Sequence, residues 1–115
     1  MTTANKVKNY YGVYENDEYE YSRHYTITMI EERYEKTASG KSWKKNPVSI
    51  EEREILFVEY FNYLSGVEFF RNLGGYEKVE KSYTHKGHIP TRLTSISPNK
   101  DTKVVRKFKL EIKEN

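Results

Sequence analysis

The sequence predicts an α+β fold in which an antiparallel sheet, built from an N-terminal hairpin and a C-terminal three-stranded meander, packs on one main helix. Three observations carry this expectation. Residues 76–113 alternate apolar and polar side chains between clusters of turn-forming residues. Residues 56–67 place apolar side chains at spacings of three and four. Phe, Trp and Tyr make up 15% of the 115 residues, which closes a core although only 36% of the chain is hydrophobic and the mean hydropathy is −0.94. A chain of this length is expected to hold one core and one domain.

Residues 1–9 are polar and are expected to form a disordered tail ahead of a single domain at 10–115. An aromatic run at 10–14, the acidic stretch Glu15-Asn16-Asp17-Glu18 and a second run at 19–30 read as a hairpin turning at Asn16 and Asp17. In its second strand Tyr25, Ile27 and Met29 share one face, and Thr26, Thr28 and Ile30 the other. Residues 29–36 fit the start of a short helix equally well. Residues 37–48 shift to Ser, Gly, Lys, Asn and Pro around Trp43, the composition of a surface loop.

Ser49 followed by Glu52 forms a capping box, and Glu51 and Glu52 suit the positive end of a helix dipole, so the main helix is expected to begin there. Leu56, Phe57, Tyr60, Phe61, Tyr63, Leu64 and Val67 supply its apolar face. Gly66 is the expected cap, with a further turn through Phe69 and Phe70 stopped by Gly74-Gly75. The meander then runs through residues 76–85, a turn at Lys86-Gly87, residues 88–97, a turn at 98–101 and residues 102–113. In the last strand Val104, Arg106, Phe108, Leu110 and Ile112 share the core side, opposite Val105, Lys107, Lys109, Glu111 and Lys113. Pro90 lacks a ladder donor, which points to a strand edge or a bulge.

The absence of cysteine excludes disulfides, zinc ribbons and thiol chemistry. No apolar run approaches the ~20 residues of a membrane span, and residues 1–9 carry no apolar signal segment, so a cytoplasmic protein is expected. Ala38-Ser39-Gly40-Lys41-Ser42 imitates the end of a phosphate-binding loop, but Glu35 stands where that loop needs its first glycine. His85 and His88 flank a turn without a third ligand at a fixed spacing. Asp101, Glu111 and Lys113 imitate the carboxylates and lysine of a Mg²⁺-dependent nuclease, which leaves a metal-dependent hydrolase as a remote alternative. No cofactor is expected.

Charge divides unevenly. Residues 49–75 carry two basic and five acidic groups, whereas residues 76–115 carry ten and five, and residues 37–48 three and none. Eleven tyrosines favour strand faces and half-wet surfaces, where a polar tip reaches water. A basic sheet face beside aromatic rings suits phosphates and bases. The candidate ligand-binding set is therefore Lys41, Trp43, Lys44, Lys45, Tyr76, Tyr83, Arg92, Lys103, Arg106, Lys107 and Lys109. The expected function is a small non-catalytic accessory protein that binds nucleic acid or a nucleotide-like phosphate compound. The alternative is a phage or mobile-element type inhibitor that binds a host protein through tyrosine-rich patches. Open sheet edges and the aromatic helix add the expectation of a homo-oligomer.

Overall fold

The computed structural model describes residues 9–10, 13–14, 18–37, 39–40, 42–45, 51–84 and 87–113, with 9, 10, 13, 14, 44, 45, 84 and 87 described by backbone alone. The chain runs β1 (Asn9–Tyr10), β2 (Val13–Tyr14), α1 (Glu18–His24), β3 (Tyr25–Lys36), β4 (Trp43–Lys45), β5 (Glu51–Ile55), α2 (Phe57–Ser65), α3 (Val67–Asn72), β6 (Tyr76–Thr84), β7 (Gly87–Ile96) and β8 (Thr102–Ile112). The main sheet follows the order β4-β3-β8-β7-β6, with β5 on the edge of β3 that β4 also uses. Every pairing is antiparallel. The fold is α+β, and β6, β7 and β8 form the meander that the alternation predicts.

Register assigns the faces. Tyr25, Ile27, Met29 and Glu31 stand opposite Ile112, Leu110, Phe108 and Arg106, and their side of the sheet meets the helices. On the other side Thr28, Ile30, Glu32 and Tyr34 pair with Lys109, Lys107, Val105 and Lys103. The core lies between the first of these faces and α2, whose Phe57, Tyr60, Phe61 and Leu64 are buried, with Tyr21 of α1 and Val67 of α3 closing the ends. Tyr60 meets Phe108 edge-on at 4.9 Å between ring centroids and Phe61 at 5.4 Å. Arg53 of β5 ties its strand to α2 through Glu59 at 2.6 Å.

Pro90 satisfies both expectations for it. The register of β6 against β7 slips at Glu80/Lys81, and β7 pairs with β8 only from Arg92 to Ile96, so Pro90 lies beside a bulge on a locally open edge. Its carbonyl accepts a hydrogen bond of 2.6 Å from the buried Tyr60 hydroxyl. Burial, with Tyr21 adding to it, pushes the Tyr60 phenol well above its ordinary range, so it remains a neutral donor.

Four local expectations are corrected. Residues 19–24 lie in α1 rather than in a hairpin strand; Glu18 and Glu20 at its start and Arg23 and His24 at its end oppose the helix dipole. The β1–β2 pair is a separate ladder, Asn9 with Tyr14 and Tyr10 with Val13, and the proposed Asn16-Asp17 turn lies outside the described residues, as does most of the tail. Residues 29–36 continue β3 instead of opening a helix. Trp43, Lys44 and Lys45 form β4 against Lys36, Glu35 and Tyr34, so the loop of residues 37–48 contains a strand.

The capping box also yields to tertiary pairing. Glu51 to Ile55 extend along β3, and α2 starts after Leu56, which makes no side-chain cap; Ser49 lies outside the described residues. Leu56 is consequently 72% exposed instead of joining the apolar face. Gly66 donates to the Asn62 carbonyl at 3.2 Å as α2 ends, and α3 continues the bent helix to Gly74, which has φ +95°. At Gly75 a Cβ would stand 2.2 Å from the Phe70 ring. Gly75→Ala is expected to displace that ring and cost about 1–3 kcal/mol, read as a lowered midpoint in urea denaturation.

Candidate functional site

The sheet side opposite the helices gathers the aromatic and cationic groups. Strand alternation places Tyr34 and Lys36 of β3, Trp43 of β4, Lys103 of β8, Ile96 and Arg92 of β7 and Tyr76 of β6 on this side. At the end where the β7–β8 turn reverses, Lys36, Trp43, Tyr76, Ile96 and Lys100 line a cavity of about 280 Å³. In a flat sheet four strand spacings, about 19 Å, separate β4 from β6. Trp43 and Tyr76 line one cavity nonetheless, because the Trp43 ring reaches inward under the ammonium groups of Lys36 on β3 and Lys103 on β8. Val105 and Glu32 on the same side are buried, 1% and 7% exposed.

Electrostatics set this end apart. The Lys36 ammonium lies 4.4 Å from the Trp43 ring, and the Lys103 ammonium 5.2 Å from the same ring and 4.6 Å from that of Tyr34. Burial lowers the Lys103 pKa from the usual lysine value, and Arg92 and Lys36 repel its charge further. Among the described residues Lys36, Lys100 and Lys103 form no ion pair with a carboxylate. Lys100 has φ +61°, the left-handed region that lysine adopts at a cost. Its N–H donates to Ser97 at 2.8 Å, which holds the turn.

Of the residues read from sequence, Trp43, Tyr76 and Lys103 come together here. Arg92, Lys107 and Lys109 share the face farther from the cavity, and each meets a carboxylate: Glu80 at 3.6 Å, Glu32 at 3.4 Å and Glu111 at 4.0 Å. Lys44 and Lys45 pair through their backbones with Glu35 and Tyr34, and their side chains lie outside the described residues. Lys41 lies outside the described residues. Two further residues are not brought in. Tyr83, 76% exposed near the far end of β6, meets the His88 ring edge-on at 5.1 Å. Arg106 belongs to the helix side.

Sequence reading missed Tyr34, Lys36, Ile96 and Lys100. The alternation Ile30, Glu32, Tyr34, Lys36 carried the signal for the first two, but ending the strand at residue 30 concealed it.

On the helix side Arg106 donates to Glu31 at 3.0 Å and its guanidinium covers the Tyr63 ring at 4.5 Å, while Arg33 reaches the other Glu31 oxygen at 2.7 Å. A second cavity, about 310 Å³, lies beside this network between Phe70, Glu77, Ser95, Ser97, Thr102 and Val104. Burial raises the Glu77 pKa against the hydrogen bond from Ser95 and the charges of Arg106 and Arg71. A carboxyl raised in the folded state binds protons more tightly than in the unfolded chain, so its contribution falls as pH rises from the unfolded value through the folded one. Carbon-detected NMR is expected to show Glu77 titrating above the ordinary glutamate value, with Glu77→Gln flattening the decline in stability over that window.

The motifs that imitate metal chemistry do not assemble. Asp101 and Glu111 stand at opposite ends of β8, about 33 Å apart along the strand, and the Lys113 ammonium donates to the Ser22 carbonyl. Among the described residues no three His, Asp or Glu side chains group as metal ligands. Gly40, with φ +73°, lies in the turn between β3 and β4 rather than in a phosphate loop, and His85 is outside the described residues. No helix among the described residues is long and apolar enough to cross a membrane. Comparison with family models, curated proteins and solved structures finds no match to this chain.

Proposed function

We propose that the chain is a non-catalytic binding protein whose sheet face opposite the helices takes a ligand combining phosphate with a flat ring, as a nucleic acid or a nucleotide does. The observation that carries this reading is the meeting of Lys36, Lys100 and Lys103, none in an ion pair among the described residues, with Trp43 and Tyr76 at one cavity end. Uncompensated ammonium groups gain from an anion, and phosphate binding releases condensed counterions. Ring faces at the rim add stacking that tolerates any base. Lys100 supports the reading independently. Asn or Gly fits φ +61° better than lysine, so local stability alone does not favour the cation that lines this cavity.

The test separates binding from folding. Lys100→Asn is expected to hold or raise stability by up to about 1 kcal/mol while weakening binding of a fluorescent oligonucleotide at low salt. Trp43→Ala is expected to weaken it by about 1–3 kcal/mol, the worth of one stacking partner, with the thermal transition retained. Affinity unchanged in both variants rejects the site.

A further inference from the structure

We infer that the ligand is a single strand lying along the open face, with one unstacked base held between Trp43 and Tyr76, rather than a duplex or a lone nucleotide. This rests on the phosphate-and-ring reading above and adds a footprint to it. The cavity, about 280 Å³ and bordered by two aromatic rings, has room for one base and its sugar rather than a stacked pair. Duplex bases turn their ring faces to each other, so neither Trp43 nor Tyr76 can stack on them. A duplex groove is entered by a protruding helix or ribbon. Here the rings sit in a concavity.

The strand, rather than a mononucleotide, follows from the cations beyond the cavity. Lys103, Lys107 and Lys109 project from β8 on the cavity side, and Arg92 stands directly opposite Lys107 on β7. Alternate residues of a strand are about 7 Å apart, close to the spacing of successive phosphates on an extended polynucleotide. The carboxylate partners of Lys107, Lys109 and Arg92 hold them at 3.4, 4.0 and 3.6 Å, and all three cationic side chains are at least 43% exposed. The pairs of Arg92 and Lys109 are exposed on both sides and exchange a carboxylate for a phosphate at little cost; Glu32, the buried partner of Lys107, keeps the Tyr34 hydroxyl as a donor at 3.1 Å. Lys36 and Lys103, resting on the Trp43 ring in the free protein, give up that face to the incoming base and turn to its flanking phosphates.

Trp43 is the only tryptophan, so its emission reports on this site directly. The test titrates a thymidine oligonucleotide of about eight residues, thymidine monophosphate and a hairpin duplex, following Trp43 emission over a range of salt. The strand is expected to quench Trp43 and to bind at least about ten-fold tighter than the monophosphate, as added phosphate contacts require. Lys107→Ala/Lys109→Ala is expected to reduce the strand's salt slope by about 0.7 per lysine and to leave monophosphate binding unchanged. Arg23→Ala, on α1 against the helix side of the sheet and 54% exposed, serves as the charge control and leaves the slope unaltered.

Equal affinity for strand and monophosphate, preference for the duplex, or an unchanged slope in the double variant overturns the footprint while leaving the phosphate-and-ring site intact. If neither the strand nor the monophosphate alters Trp43 emission or binds by labelled-probe anisotropy, the site itself fails, and the footprint with it.

Discussion

Tyr60→Ala is expected to lower stability by about 3–5 kcal/mol, a large share of the roughly 5–15 kcal/mol that holds a domain folded. The ring is 1% exposed and lies among Phe57, Phe61 and Phe108 at centroid distances of 6.0, 5.4 and 4.9 Å. Its removal leaves a cavity where α2 crosses the sheet. Tyr60→Phe isolates the second role of the residue. The ring remains, but the Pro90 carbonyl loses its 2.6 Å donor beside the bulge, a loss of about 1–2 kcal/mol. Chemical denaturation of both variants measures the two contributions, and a Tyr60→Phe protein as stable as the parent contradicts the role given to the hydroxyl.

Arg106→Ala is expected to cost about 2–4 kcal/mol, whereas Lys107→Ala is expected to change stability by less than about 1 kcal/mol. The two residues are neighbours in sequence on opposite sides of β8. Arg106 compensates Glu31, which is 5% exposed, and covers Tyr63; its loss leaves that carboxylate with Arg33 as its remaining guanidinium partner among the described residues. Lys107 meets Glu32 at 3.4 Å; that carboxylate is also buried, but it keeps the Tyr34 hydroxyl as a donor at 3.1 Å, and Lys107 itself is 43% exposed and covers no ring among the described residues. Thermal melts of the two variants at equal ionic strength are expected to differ by several degrees. Equal melting temperatures contradict the assignment of faces on which the site depends.

The last forty residues were legible because every level of the sequence agreed: alternation along β8, turn residues before it, and a proline where β7 bulges. The apolar face of α2 was legible for the same reason. Its start was not, because Ser49 and Glu52 satisfy a capping rule locally while residues 51–55 gain a full ladder against β3. That competition is decided by a strand distant in sequence. Residues 18–24 misled through their tyrosines, although the acidic start and basic end of a helix were present.

The site was half legible for a related reason. Composition pointed to Trp43, Tyr76 and Lys103, yet sequence does not show that the β4 strand pairs with the end of β3, and that pairing is what sets Trp43 beside Lys36 and Lys103. Nor does it reveal that Glu80 and Glu32 meet Arg92 and Lys107, whereas Lys36, Lys100 and Lys103 meet no carboxylate among the described residues.

Chemical-shift mapping of isotope-labelled protein during titration with a short single-stranded oligonucleotide addresses the central claim most directly. Resonances of Tyr34, Lys36, the Trp43 indole, Tyr76, Ile96, Lys100 and Lys103 are expected to move together and to return as salt is raised. Movement centred on Arg106, Glu77 and Phe70 instead, or shifts scattered over both faces without saturation, contradicts a ligand site on the open side of the sheet.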